Sequence, residues 1–258
     1  MKSIIYFSVV LFFCHLISLL GYAEEYRIYH EPLKEESLYR LTINGSRAFQ
    51  MQQGQSFDFT VGILECCYYF MPVATSITWS IDPPKGATID PLKGYFTVDP
   101  STPHGTIYTI RVNVEKGRRV VEAKVYIFTL ETTPFVGEWY ESIRFKCKTD
   151  QTFSPKNQIQ RLLFMANGNF TVTWRPFELR HDYWGSYDFD LKRRTIKLQI
   201  KDGVYIPKDM RGSGSFFFDE NGGLTLKNIW LGSSQSGDDE SAACGHRFYR
   251  YKIPVIIR

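Results

Sequence analysis

The sequence predicts an all-β protein in which a β-sandwich is followed by an up-and-down β-barrel. Apolar and polar residues alternate with period 2, as they do in strands that have one buried and one solvated face. This alternation runs through residues 57–63, 108–114 and 121–127. Turns rich in proline and glycine separate such segments, and no long stretch of helical periodicity follows residue 23. Short strands divided by frequent turns are typical of sandwiches and barrels.

The first 23 residues have the features of a secretory signal peptide. Lys2 is the positive region, residues 4–20 are the apolar region, and Gly21 and Ala23 are the small residues before a cleavage site. We therefore expect cleavage after Ala23 and a secreted, periplasmic or cell-envelope protein. The alternative is an uncleaved anchor, because the apolar run nearly reaches the roughly 18–20 residues that a spanning helix needs.

The remaining chain is long enough for two domains. We predict a signal peptide over residues 1–23, a sandwich over residues 24–131 and a barrel over residues 134–258. The boundary is the short Glu-Thr-Thr-Pro segment of residues 131–134, which gives two domains little freedom to move independently.

The first domain resembles the bacterial Ig-like repeats of surface and exported proteins over about residues 36–131. The resemblance is carried by a strand tryptophan, Trp79, and by three motifs that follow it: Gly-Ala-Thr-Ile-Asp, Gly-Tyr-Phe-Thr-Val and Gly-Thr-Ile-Tyr-Thr-Ile. It implies a seven-strand sandwich with Trp79 in the core and no chemistry of its own. Residues 65–72 depart from the pattern by being unusually aromatic. They are interpreted as a packed strand end or as an exposed contact patch.

In the second domain, an Asn-Gly hairpin is predicted at residues 166–169, within eight consecutive strands over residues 135–147, 159–166, 169–174, 183–190, 195–201, 212–219, 224–231 and 245–253. Such a series favours a closed meander, because closure removes exposed strand edges. Gly137 and Trp139 open this series and Arg250 lies in its last strand. We expect the indole of Trp139 to fill one end of the barrel, with the Arg250 guanidinium stacked on it by a cation–π contact.

The same half resembles the lipocalin-like (calycin) domains of exported bacterial proteins over about residues 134–253. The residues that carry the resemblance are Gly137-x-Trp139, Leu163-Phe164, residues 167–170, Gly185-Ser186-Tyr187, residues 224–226 and Phe248-Tyr249-Arg250. The animal-lipocalin signature between the middle strands is not visible. The resemblance therefore implies a small barrel without establishing a roomy ligand cavity, since many small barrels are filled by side chains.

Four cysteines remain after signal cleavage: Cys66, Cys67, Cys147 and Cys244. An even number in an exported protein indicates disulfides. Cys147 follows the first barrel strand and Cys244 precedes the last, so we predict a bond between them if those strands are neighbours. The adjacent Cys66 and Cys67 are interpreted either as free thiols or as a strained vicinal pair. No second Cys or His pair lies at ligand spacing, so no metal and no cofactor is predicted.

Motifs for catalysis are missing from the sequence. Ser213 lies in a Gly-Ser-Gly-Ser segment that opens a strand, which is not the strand-to-helix turn of a nucleophile elbow. The histidines are spread along the chain, and His246 is expected at the barrel rim. The acidic loop of residues 238–240 lacks the ligand alternation of a calcium loop. A net charge of +4 is mild and gives no indication of nucleic-acid binding.

Aromatic residues make up 16% of the chain, which is the most unusual feature of its composition. A well-filled core explains them most simply. The functional interpretation is a cavity for a small apolar or planar ligand, with Trp174, Trp184 and Phe216 as candidate binding residues. Stacking of sugar rings on Trp174 and Trp184 is a further alternative.

The sequence thus favours an exported, non-catalytic binding protein whose barrel binds a small hydrophobic ligand while the Ig-like domain acts as a spacer. The alternative is a structural or adhesion protein of the cell envelope with no ligand cavity, whose partner is an envelope or surface protein. An enzyme is the least favoured class, although loops of such folds can carry sites that motifs do not reveal.

Overall fold

The computed structural model describes residues 29–30, 32–44, 48–64, 70–146, 148–174, 182–234 and 243–250. These residues form twenty strands and one short helix, α1 (Glu35–Leu38), which confirms the predicted all-β class. The strands are β1 (Tyr29–His30), β2 (Leu41–Ile43), β3 (Ala48–Gln52), β4 (Ser56–Asp58), β5 (Val61–Leu64), β6 (Phe70–Ala74), β7 (Ile77–Asp82), β8 (Ala87–Ile89), β9 (Tyr95–Val98), β10 (Ile107–Val114), β11 (Arg119–Phe128), β12 (Gly137–Phe145), β13 (Thr152–Phe153), β14 (Arg161–Phe164), β15 (Asn169–Thr173), β16 (Tyr183–Asp190), β17 (Thr195–Gly203), β18 (Ser213–Phe218), β19 (Leu224–Lys227) and β20 (Gly245–Arg250). Among the described residues, no helix is long and apolar enough to cross a membrane.

The chain forms two compact units. Unit 1 comprises Met1–Phe49, Ser56–Val98 and Tyr108–Val125, and unit 2 comprises Gln50–Gln55, Asp99–Ile107 and Tyr126–Arg258. Three small sheets lie in the amino-terminal half, with strand orders β1-β6-β5-β2, β3-β11-β10-β7 and β4-β9-β8. One nine-stranded sheet lies in the carboxy-terminal half.

The core of unit 1 is built on Trp79, which is buried on β7. The Phe59 ring lies 6.4 Å from Trp79 and 5.8 Å from Phe96, between the centroids of the rings. Gly94 has a φ of +73°, and a Cβ there would lie 2.7 Å from the indole of Trp79. Only glycine therefore allows the turn before β9 to pass this close to the tryptophan.

A buried carboxylate fixes the segment before α1 in unit 1. Glu115, in the turn between β10 and β11, accepts hydrogen bonds from the Leu33 N–H at 2.7 Å and the Thr75 hydroxyl at 3.0 Å. Arg118 binds the second oxygen of the same carboxylate. Backbone, hydroxyl and guanidinium donors together satisfy a charge that would otherwise be costly to bury.

The sheet of unit 2 has the order β13-β12-β14-β15-β16-β17-β18-β19-β20, and β12 is also hydrogen-bonded to β20. All the pairings are antiparallel and, from β14 onward, join consecutive strands. The predicted Asn-Gly hairpin connects β14 to β15, with Gly168 at a φ of +79° and the pair Phe164↔Phe170 at the strand ends. One face of this sheet buries a single apolar cluster that includes Phe135, Trp139 and Phe248.

Candidate functional site

The structure brings Gly137, Trp139 and Arg250 together. Trp139 and Arg250 are opposite each other across β12 and β20, and the Arg250 guanidinium carbon lies 4.5 Å from the centroid of the indole ring. Arg250 Nη1 donates to the Val136 carbonyl at 3.0 Å, and Nη2 donates to the Pro134 carbonyl. Gly137 has a φ of +136°, and a Cβ there would lie 3.5 Å from Arg250 Nη1.

This arrangement closes one end of the aromatic cluster. The Trp139 N–H donates to the Phe135 carbonyl at 2.7 Å, so the buried indole has its polar group satisfied. Removal from water lowers the pKa of Arg250, while the two carbonyls and the ring compensate for the lost hydration of its charge.

Two of the three candidate ligand-binding residues, Trp174 and Phe216, belong to the same buried apolar cluster, and Trp184 lies outside it. Phe216 is 3% exposed and lies in the apolar cluster of unit 2, with its ring centroid 4.7 Å from that of Phe135. Trp174 is 7% exposed and packs on Tyr183 and Tyr205 at centroid distances of 5.8 and 6.0 Å. Trp184 is 37% exposed and follows Tyr183 on β16, so it projects from the opposite face.

A buried polar cluster, formed by Glu141, Arg144 and His246, was missed by sequence reasoning. Arg144 Nε and Nη2 donate to the two carboxylate oxygens of Glu141 at 2.8 and 3.0 Å. His246 Nδ1 lies 2.5 Å from Glu141 Oε1. The expectation that His246 lies at the rim is wrong, because its exposure is 0%.

The hydrogen bonds of this cluster define the tautomer of His246. The Leu231 backbone N–H donates to His246 Nε2 at 3.1 Å, so Nε2 carries no proton. Nδ1 therefore carries the proton and donates a hydrogen bond to Glu141. Burial by itself would raise the pKa of the Glu141 carboxyl, but the interactions with His246 and Arg144 outweigh burial and lower the pKa.

The cluster joins four parts of unit 2. Glu141 Oε2 also accepts the Ile159 N–H at 2.7 Å, and Arg144 Nη2 donates to the Asn157 carbonyl at 2.6 Å. The Trp230 ring stacks on His246 at 5.0 Å and 13°, and Arg144 lies 5.2 Å from the same ring. Because the side chains of Glu141, Arg144 and His246 are buried, the cluster is suited to holding β12, β20 and two connecting segments together.

Described residues of unit 2 also line open depressions. A groove of about 1060 Å³ lies beside β16, β17 and β18 and is lined among others by Asp188, Phe189, Lys197, Ser213, Ser215 and Asn228. A pocket of about 470 Å³, here called the Tyr249 pocket, is lined among others by Ser142, Asp219, Asn221, Arg247, Tyr249 and Arg250.

Several predicted features lie wholly or partly outside the described residues. Cys66, Cys67, Cys147 and the acidic loop of residues 238–240 belong to those segments. Cys244 is disulfide-bonded, and its N–H donates to the carbonyl of Phe145, the last residue of β12. The pairing with Cys147 stays a prediction. Within the described ranges, no three His, Cys, Asp or Glu side chains are grouped to hold a metal ion.

The chain resembles known proteins only weakly. No protein-family model and no curated protein matches the chain. A protocadherin gammaB7 EC3-6 cis-dimer structure is 13% identical, with a TM-score of 0.27, over 81% of this chain and 47% of the other. This chain thus spans about half the length of that protocadherin. A structural-genomics protein of unknown function from Bacteroides ovatus is 6% identical, with a TM-score of 0.25, over 81% and 92% of the two chains.

Proposed function

We propose that this is an exported, non-catalytic protein that acts through its outer surfaces, as structural and adhesion proteins of the cell envelope do. In this proposal the nine-stranded sheet is a closed, lipocalin-like barrel with a solid interior, and the amino-terminal unit is an Ig-like sandwich. The amino-terminal sequence, with its apolar region and its Gly-x-Ala motif, supports export.

Closure of the barrel is supported by the hydrogen bonding of β12. Trp139 on β12 is paired with Leu162 of β14 on one side and with Arg250 of β20 on the other. A meander whose first and last strands are paired has no free edge along that seam. The Arg250–Trp139 stack lies directly on this seam and would hold it.

The observation that carries the proposal is the packing around Phe135. Its ring is within 4.7 to 6.3 Å of five other rings, measured between centroids: Phe164, Tyr187, Phe189, Phe216 and Phe218. A ring surrounded in this way occupies the space that a ligand of a lipocalin-like barrel would need. The aromatic surplus is therefore assigned to the core, which favours the structural or adhesion class over the small-ligand carrier.

An apolar fluorescent probe, N-phenylnaphthylamine, tests the solid interior. We expect no saturable binding by the wild-type chain. Phe216→Ala, which opens a cavity of about benzene size in the same core, is the positive control with benzene as the guest and is expected to bind about one equivalent, because apolar cavities accept apolar guests that fit them. Leu226→Ala replaces it if Phe216→Ala does not fold. Stoichiometric, saturable binding by the wild-type chain would overturn the proposal in favour of a carrier.

A further inference from the structure

The Tyr249 pocket combines an exposed aromatic ring with polar side chains on a rigid support. Tyr249 is 52% exposed, yet its ring is stacked on the cross-strand neighbour Tyr140 at 5.7 Å and 22°. The stack fixes the orientation of the Tyr249 ring without burying it. A pre-oriented ring offers a flat apolar surface at a low entropic cost.

The carboxylate of the pocket is also pre-oriented. Asp219 Oδ1 accepts the backbone N–H groups of Asn221 at 2.9 Å and Gly223 at 2.7 Å, which hold the turn between β18 and β19. Asn221, whose backbone N–H binds this carboxylate, is also a lining residue of the pocket. On the opposite side, the Ser142 hydroxyl donates to the Arg247 carbonyl at 3.0 Å.

Arg247 supplies a cation to the same pocket. Its side chain is exposed on β20, and within the described part of the chain it has no hydrogen-bond or ion-pair partner. Arg250 differs, because both of its terminal nitrogens are bound to backbone carbonyls. The pocket therefore offers one uncommitted guanidinium, one carboxylate and one amide around the edge of an aromatic ring.

We propose that the Tyr249 pocket binds a neutral pyranose unit of a glycan. The C–H face of a pyranose is apolar and can lie on the Tyr249 ring, while its hydroxyls can donate to Asp219 and accept from Asn221 and Arg247. The opposite charges of Asp219 and Arg247 offset each other in the pocket, and Arg250 is already bound to backbone carbonyls, so a neutral ligand is favoured. A volume of about 470 Å³ is within the size range of small-ligand sites.

This inference rests on the proposed function, since it names the ligand class that the outer surface of unit 2 recognises. The test uses the mature full chain and a panel of neutral methyl glycosides of glucose, galactose, mannose and N-acetylglucosamine, observed by saturation-transfer difference NMR. We expect at least one of them to bind, with a dissociation constant of the order of 1 mM.

Three substitutions make the test specific. Tyr249→Ala is expected to weaken binding about tenfold or more, whereas Tyr249→Phe keeps the ring and stays within about threefold of wild type. Asp219→Asn is expected to weaken binding about tenfold through loss of the charged acceptor, while its side-chain oxygen can still accept the turn N–H groups. Tyr95→Ala is the matched control, because Tyr95 is a 47% exposed tyrosine of unit 1.

Each result decides the inference. The inference is supported if a neutral glycoside binds, if Tyr249→Ala weakens this binding, and if Tyr95→Ala leaves the binding unchanged. It is overturned if no neutral glycoside binds, if only anionic sugars bind, or if both alanine variants have the same effect. A wild-type chain that excludes N-phenylnaphthylamine but binds no glycoside leaves the proposed function standing and removes only the glycan. A chain that takes up the apolar probe contradicts the proposed function itself.

Discussion

Arg250 shows how a half-buried cation can be held by carbonyl oxygens and an aromatic ring. Its guanidinium lies on the Trp139 ring and donates to the carbonyls of Pro134 and Val136. To bind both carbonyls and the Trp139 ring at the same time, a side chain needs two fixed donors and a flat face, and arginine provides both. Lysine has a single rotatable ammonium and cannot occupy the same geometry.

Arg250→Lys is therefore expected to lower the free energy of unfolding by about 1–3 kcal/mol, as expected for losing a charge-assisted hydrogen bond and a cation–π contact. The matched control is Arg247→Lys on the same strand, which is exposed and should change stability by less than about 0.5 kcal/mol. Urea unfolding of both variants measures the difference. Equal effects would show that the Arg250 contacts do not hold the seam.

Trp139→Ala is expected to lower the free energy of unfolding by about 3–5 kcal/mol, because it removes a fully buried indole from the core of unit 2. Trp184→Ala removes the same side chain from the exposed face and should cost about 1 kcal/mol or less. Guanidinium unfolding followed by circular dichroism compares them. A loss below about 1 kcal/mol for Trp139→Ala contradicts its proposed role in closing a barrel.

The lowered pKa of Glu141 makes a pH-dependent contribution to stability. A carboxyl whose folded pKa is below its unfolded value, here 4.5, stabilises the fold fully above pH 4.5 and loses that contribution as pH falls through the folded pKa. Glu141→Gln should therefore lower the free energy of unfolding most near neutral pH. The difference in free energy of unfolding between this variant and wild type should become smaller below pH 4.5. Glu122→Gln, at an exposed ion pair, is the control. If the difference in free energy of unfolding grows on acidification, the pKa of Glu141 is not lowered in the folded state.

At the scale of elements, β12 organises unit 2 through a bulge. The register between β12 and β20 shifts between Glu141 and Ile143, so Glu141 and Arg144 are both buried although three positions separate them. In a regular strand, residues three apart project from opposite faces. The bulge thus turns Arg144 toward the carboxylate that neutralises it.

Deletion of Ser142, which removes the extra residue, should turn Arg144 away from Glu141 and leave a buried charge without its partner. We expect a loss of about 3–5 kcal/mol in the free energy of unfolding, as measured for broken buried pairs. Ser142→Ala keeps the bulge and loses only the hydrogen bond to the Arg247 carbonyl, at about 1 kcal/mol. Urea unfolding of the two variants separates the bulge from the hydroxyl. If deletion of Ser142 lowers the free energy of unfolding no more than Ser142→Ala does, the bulge does not have this role.

The local parts of these elements could be predicted from the sequence, and the non-local parts could not. Period-2 alternation and the Asn-Gly pair located the strands around Gly168. The predicted strand start at Ile159 was early, because the Ile159 N–H is bound by the Glu141 carboxylate instead of a ladder partner. The strand predicted over residues 224–231 ends at Lys227, where Asn228 takes a φ of +62°. The burial of His246 depends on Trp230 stacking, which no local pattern indicates.

At the scale of the whole molecule, the aromatic residues have two different roles. Those of unit 2 that face inward fill its interior around Phe135, which composition alone could not distinguish from the lining of a cavity. Those that face outward, including Trp184, Phe217 and Tyr249, remain available to partners. We therefore propose that the interior of unit 2 is solid and that recognition takes place on its surface.

Native mass spectrometry of the protein purified from the cells that produce it, followed by solvent extraction, is the decisive measurement of whether the interior is solid. We predict the mass of the mature polypeptide alone and an extract that contains no stoichiometric apolar compound. A bound apolar molecule at one equivalent per chain would contradict the solid interior and make the protein a carrier.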